Sequence, residues 1–226
     1  MGMALKNVIF DLDGTLIDSL PGIEYSVDFA LRAEDYPART CDVRPLIGPP
    51  IRDTLRAISG ETTPEALDGL ESAFRRSYDT EGWKRTVLQT EASETLAWLS
   101  ASGLSLFIVT NKPRHATRQI VEHFGLNDFF ADVVSPDSAE PNYRSKAEML
   151  RRLMQAGSVR NSDSLFVGDT HEDAEAAAAV GMPSLILTSG YGGFRPTHKQ
   201  PDCRVVRTIG ELKIYCSSPT EGSKQP

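Results

Sequence analysis

Carboxylates recur in this sequence where apolar runs stop. Val8-Ile9-Phe10 gives way to Asp11-Leu12-Asp13-Gly14-Thr15, and Leu165-Phe166-Val167 to Gly168-Asp169-Thr170-His171-Glu172-Asp173. A third run, Leu104 to Val109, leads into Thr110-Asn111-Lys112, and Lys146 stands at the start of a helical stretch. Brought together, these residues form a hard-oxygen set beside an ammonium group. Mg²⁺ takes oxygen ligands, keeps several waters and needs only one or two carboxylates. A phosphoryl group needs its oxygens neutralised by metal, lysine and main-chain N–H groups. One carboxylate can attack phosphorus, and another two residues on can carry protons to a leaving group and from water. Gly14 lets the backbone turn tightly and present N–H groups. Each piece alone has a plainer reading. Asp-Gly is a turn signal, Thr110-Asn111 can cap the next helix, Lys146 can be a solvated lysine, and Asp169 and Asp173 suit a helix's first turn. The weight lies in their shared setting at strand ends and helix starts.

The elements that must position them follow from periodicity. Val8–Phe10 reads as a buried strand. Pro21 to about Ala33 carries Ile23, Val27, Ala30 and Leu31 at helical spacing, with Asp18 or Ser19 as caps and Pro21 near the first helical position. From there to about Arg85 the chain reads as wholly helical, broken by a stiff loop at Arg44 to Pro50, with helices at Ile51–Ile58 and Pro64–Tyr78. Beyond it strands (104–110, 132–135, 165–167, 184–188) alternate with helices (90–102, 113–124, 144–156, 171–180) stopped by Gly103, Gly125, Gly157 and Gly181. Such alternation predicts βαβ crossovers and a parallel, doubly wound α/β sheet. Ligands of such sheets sit at the carboxyl ends of the strands, where the motifs fall.

With these residues in place the chain resembles the haloacid dehalogenase superfamily, specifically its phosphatases with a helical cap after strand one. Asp11-Leu12-Asp13-Gly14-Thr15-Leu16-Ile17-Asp18-Ser19 matches the first motif, Thr110-Asn111-Lys112 the second, Lys146 the third and Gly168-Asp169-Thr170-His171-Glu172-Asp173 the fourth. The likeness covers roughly residues 5 to 195. The loop at Leu46 to Pro50 and Ser189-Gly190-Tyr191-Gly192 are similar to phosphoglycolate phosphatase-like members. Arg144-Ser145-Lys146-Ala147-Glu148 looks more like a nucleotidase-type third motif. The resemblance implies a Rossmann-like α/β core over 1–15 and 87–216, an all-helical cap over 16–86 and a disordered tail over 217–226. It implies Asp11 as nucleophile and Mg²⁺ ligand, Asp13 as general acid/base and ligand through its carbonyl, and Asp169 as the remaining protein ligand. Lys146 balances charge, and Asp173 stands behind the ligands, orienting water or Lys146. Gly14, Thr15, Thr110, Asn111 and Lys112 hold the phosphate. Asp13 favours phosphate chemistry over dehalogenation. The implied activity is Mg²⁺-dependent hydrolysis of a small phosphomonoester, phosphoglycolate-like or nucleotide, through an aspartyl-phosphate. A phosphomutase or pyrophosphatase on the same site, or a non-catalytic binding protein, are the rival readings.

Composition is consistent with such an enzyme. The chain has 226 residues and a net charge of −7, a poor match for nucleic acid or an anionic membrane surface. Its three cysteines fit a reducing compartment. Met1–Lys6 carries no signal-peptide apolar stretch, and Leu104–Val109 is too short to span a bilayer. The expectation is a cytoplasmic monomer or homodimer. Arg52, after Pro49-Pro50, is the candidate for a substrate carboxylate or second phosphate, or a solvated arginine. His171 reads as a leaving-group contact or a polar residue on the cleft rim. Tyr191, Trp83 and Trp98 read chiefly as packing residues.

Overall fold

A computed structural model describes residues 5–193 and 202–217. Six parallel strands form the main sheet: β1 (Asn7–Phe10), β4 (Ser105–Val109), β5 (Phe130–Val134), β6 (Ser164–Gly168), β7 (Ser184–Leu187) and β8 (Cys203–Val206). Their order is β5-β4-β1-β6-β7-β8. The chain runs outward from β1 through β4 to β5, then returns to the other side of β1. This doubly wound order puts the switch point beside β1, where ligand crevices form.

The strands are short apolar runs because both faces are covered. Val8 and Phe10 join one apolar layer with Leu96 and Leu99 of α4 (Ala92–Ala101) and Ile120 of α5 (Arg114–His123). Ile9, from the same strand, faces the other layer with Met149 and Leu153 of α6 (Lys146–Gln155) and Ala177 of α7 (His171–Ala178). Alternating side-chain direction along one four-residue strand thus supports two helical layers, each buried side chain contributing about 1.5–3 kcal/mol. The glycines expected to stop helices do so in the left-handed region, with φ of 80° at Gly103, 64° at Gly125, 77° at Gly157 and 65° at Gly181. α8 (Leu212–Ser217) closes the described chain. The expected tail, apart from Ser217, lies outside the described residues.

Between β1 and β4 lie α1 (Leu20–Ala33), α2 (Ile51–Ser59) and α3 (Pro64–Ser77). They bury their own apolar cluster, centred on Val27, Leu31, Leu55, Leu70 and Phe74. This stretch departs from the all-helical expectation at its edges. Two-residue strands β2 (Ile17–Asp18) and β3 (Val87–Leu88) pair antiparallel and bracket the helices. β8 and α8 were also absent from the sequence reading. Among the described residues no helix is long and apolar enough to cross a membrane.

Candidate active site

Register fixes the two central carboxylates. Phe10 pairs with Val167, and the Asp11 N–H continues the ladder to the Val167 carbonyl at 2.8 Å. Asp11 therefore leaves β1 level with the end of β6, two residues before Asp169. Asp11, Asp169 and Asp173 are buried and offer carboxylate oxygens all within 4.8 Å of one another. Lys146, buried at the start of α6, places Nζ 3.0 Å from Asp11 Oδ2 and 2.5 Å from Asp173 Oδ1.

Each acid has a distinct environment. Asp173 is saturated: its Oδ2 accepts from the N–H groups of Asp169 (3.1 Å) and Thr170 (2.9 Å) and from the Thr170 hydroxyl (2.7 Å), a capping box that starts α7. Asp169 accepts from the Thr15 hydroxyl at 3.0 Å and the Tyr191 N–H at 2.7 Å. Asp11 Oδ1 is buried with no hydrogen-bond partner among the described residues. A buried, unpartnered carboxylate oxygen is costly unless something else meets it.

Charge tells the same story. Three buried carboxylates face one buried ammonium. Burial, reinforced by Asp173 and Asp13 and opposed by Lys146, lifts Asp11 from 3.8 to about 7. Burial and the neighbouring Asp173 and Asp11 also hold Asp169 well above the carboxylate range. Burial alone would lower Lys146, but Asp11 and Asp173 outweigh it and the ammonium is strengthened. With all three acids ionised the formal surplus would be two negative charges, which is why burial favours the protonated forms of Asp11 and Asp169. A divalent cation with oxygen ligands would remove that surplus and satisfy Asp11 Oδ1, so the donor set fits Mg²⁺.

The backbone presses close here. A Cβ on Gly14, whose φ is +83°, would lie 2.3 Å from Asp169 Oδ2. A Cβ on Gly190 would meet the same oxygen at 2.3 Å. Larger residues at either position would occupy the cradle. Asp13 sits nearer the opening, and Lys112 Nζ contacts both its oxygens at 2.8 and 3.1 Å. The Lys112 ammonium lies 4.7 Å from the centre of the Tyr78 ring. A cavity of about 100 Å³ separates these groups from the helical insert.

A haloacid dehalogenase-like hydrolase family model matches residues 8–187. The chain belongs to this family. It is 34% identical over 207 residues to a phosphoglycolate phosphatase of Vibrio vulnificus, covering 88% of this chain and 90% of that relative. It is equally 34% identical over 193 residues to the tyrosine-protein kinase PtkA of Mycobacterium tuberculosis, covering 84% and 65%. The crystal structure of a predicted phosphatase from Clostridium acetobutylicum superimposes with a TM-score of 0.83 at 26% identity, over 94% of this chain and 99% of that one. The doubly wound α/β fold, the haloacid dehalogenase-like hydrolase family and the phosphatase class, similar to phosphoglycolate phosphatases, stand as the motifs imply.

Within this dehalogenase-like core the structure brings Asp11, Asp13, Thr110, Asn111 and Lys112 to one cavity, with Gly14, Thr15, Lys146, Asp169 and Asp173 packed beneath or beside it. The Asn111 side chain donates to the Gly48 carbonyl and to Glu172, both at 2.9 Å, so it also ties the insert's loop to α7. Arg52 is not brought there. Its guanidinium donates to Asp68 at 2.5 Å, Glu71 at 3.2 Å and the Pro64 carbonyl at 3.0 Å, and the cavity is lined by Ile51 and Thr54 instead. The residues the sequence reading missed are Glu71, Phe74, Arg75 and Tyr78, one face of α3 and the turn after it. Their i, i+3, i+4, i+7 spacing was visible, but not which face meets the core. His171 is 54% exposed, with Nδ1 3.9 Å from Glu175, and does not line the cavity.

Proposed function

We propose that this family member is a Mg²⁺-dependent phosphatase that hydrolyses a small phosphomonoester through a phosphorylated Asp11. The observation that carries the reading is Asp11 itself: a buried carboxylate with one unpartnered oxygen, in a cluster whose formal surplus when ionised is two negative charges. Asp11, Asp169 and the Asp13 carbonyl would hold Mg²⁺, which supplies charge neutralisation of the phosphoryl oxygens. A carboxylate oxygen of Asp11 forms the new bond to phosphorus as the ester's bridging bond breaks. Asp13 gives its proton to the departing oxygen, then takes one from the water that cleaves the acyl phosphate. Lys146 keeps Asp11 ionised and oriented, and Asp173 fixes Lys146. Lys112 holds Asp13 at the cavity. Thr110 and main-chain N–H groups near Gly14 and Asn111 receive the phosphate.

The helices over 16–86 act as the cap that closes the site and excludes water. Arg75 lines the cavity with only a long 3.9 Å contact to Glu71 and a seat over the Phe74 ring, whereas Lys112 is tightly paired with Asp13 at 2.8 Å. A second anionic group on the substrate therefore suits Arg75, which favours a phosphoglycolate-like ester over a neutral one. The net charge of −7 supports an enzyme that acts on small metabolites rather than on nucleic acid or an anionic membrane surface, and the proposed compartment is the cytoplasm.

The test is phosphate release from p-nitrophenyl phosphate and from phosphoglycolate, with and without EDTA, beside Asp11→Asn. Turnover should need the metal and vanish in the variant; equal rates in all conditions defeat the reading. The likeness to PtkA supports a second reading, transfer to a protein tyrosine. ATP-dependent labelling of a tyrosine substrate, with no ester hydrolysis, would favour it.

A further inference from the structure

Tyr191 joins the two halves of the molecule in a way that no step above uses. Its N–H donates to Asp169 Oδ2 at 2.7 Å. Its hydroxyl accepts from the Ser19 N–H at 2.7 Å and the Leu20 N–H at 3.1 Å, and donates to Asp18 Oδ1 at 2.7 Å. Ser19 and Leu20 begin α1, where helical N–H groups have no partner within the helix. Ser19 occupies the N-cap position, yet its own side chain makes no capping bond. The cap comes from Asp18 and, across the molecule, from Tyr191. The ring itself packs with the insert's apolar cluster rather than with the sheet's, and the Arg44 guanidinium lies 5.5 Å from its centre.

The other end of the link is equally tight. A Cβ on Gly190 would lie 2.3 Å from the Asp169 Cβ, and one on Gly192 would lie 2.4 Å from the Asp169 carbonyl oxygen. The loop backbone is thus packed directly against Asp169 and hydrogen-bonded to it, so a displacement of either bears on the other. Asp18 to Leu20 form the junction of β2 and α1, where the chain enters the helical insert.

We propose that Tyr191 is a positioning residue that couples Asp169 to the seat of the helical insert. A cation held at the carboxylates fixes Asp169, which fixes the Tyr191 loop, which clamps the first turn of α1. By linkage, a seated insert strengthens cation binding by the same factor. The proposal rests on Asp169 as a metal ligand.

Amide hydrogen exchange of the full chain by NMR, with and without Mg²⁺, tests it. In the wild type Mg²⁺ should slow exchange at the Ser19 amide at least about fivefold, the lower end of usual coupling factors. In Tyr191→Phe that amide should exchange roughly tenfold faster, as loss of its acceptor requires, and should no longer respond to Mg²⁺. The amides of Gly168 to Thr170 should respond in both proteins. Asp18→Ala frees the same hydroxyl and also removes the acceptor of the Leu20 N–H at 3.1 Å; it should weaken the Ser19 response to Mg²⁺, and adding it to Tyr191→Phe should speed basal exchange while leaving the Mg²⁺ response absent. A Ser19 response to Mg²⁺ that survives Tyr191→Phe overturns the coupling. A response at Gly168 to Thr170 without one at Ser19 in the wild type overturns it and leaves the metal reading standing. Silence at both places removes both.

Discussion

Stripped of divalent cations, this protein should lose stability as pH rises, and Mg²⁺ should restore it. The perturbation is a change from about pH 5 to about pH 8 in EDTA. Asp11 releases its proton near 3.8 in the unfolded chain and near about 7 in the folded one. Between those values the folded state holds more protons than the unfolded state, so stability falls with rising pH and the loss is complete above the folded value. Of the shift of about three units, about two fall between pH 5 and pH 8, which at about 1.4 kcal/mol each gives a loss of about 3 kcal/mol in this window. For a chain of this length that is a fall in Tm of roughly 6–12 °C. Asp169 is displaced in the same direction and adds to it. Glu61 is held down to about 2 by the N–H groups of Thr63 and Thr62. Its contribution is lost only in acid, below the window. The assay is thermal melting followed by tryptophan fluorescence, in EDTA and in excess Mg²⁺, beside Asp11→Asn. The asparagine imitates the protonated acid and should flatten the EDTA profile. A metal-free Tm that is level or rises across the window refutes the account of the cluster, as does a profile that Mg²⁺ leaves unchanged.

Two further outcomes follow from packing. Gly14→Ala puts a methyl group 2.3 Å from Asp169 Oδ2 on a backbone with φ of +83°; it should cost about 1–3 kcal/mol by thermal melting and at least about tenfold in phosphate release, and wild-type behaviour in both would contradict the cradle. Arg52→Ala should leave kcat/KM within about twofold, whereas Arg75→Ala should raise KM about fivefold or more for an ester with a second anionic group; steady-state kinetics with the reverse ranking would return Arg52 to the site.

The clustered carboxylates were legible because they terminate short apolar runs that read as buried strands, and because parallel sheets gather such ends. Asp11 and Asp169 needed no side-chain detail to be paired. Arg52 was misplaced for a rotational reason. One residue along a helix turns the side chain by about 100°, so Ile51 meets the cavity while Arg52 meets Asp68 and Glu71 on α3. Nothing in the local pattern gives that phase; it depends on how α2 and α3 pack. β2 and β3 are two residues each, shorter than any periodicity. β8 alternates poorly because its middle residues, Arg204 and Val205, are both exposed at the sheet's edge. Tyr191 was correctly read as a packing residue, but its hydroxyl's partners lie more than 170 positions away.

The ladder from Phe10–Val167 to Asp11 has a consequence for how this molecule can change. The spacing of Asp11 and Asp169 follows from main-chain spacing in a sheet, which substitution of side chains barely alters. Ile51 and Thr54 of α2 and Glu71, Phe74 and Arg75 of α3 line the cavity from outside that ladder, where on the proposed function they would meet the rest of the substrate. Mutations there can retune preference while the bond-breaking apparatus keeps its dimensions, so new specificities are open to this scaffold without rebuilding its chemistry.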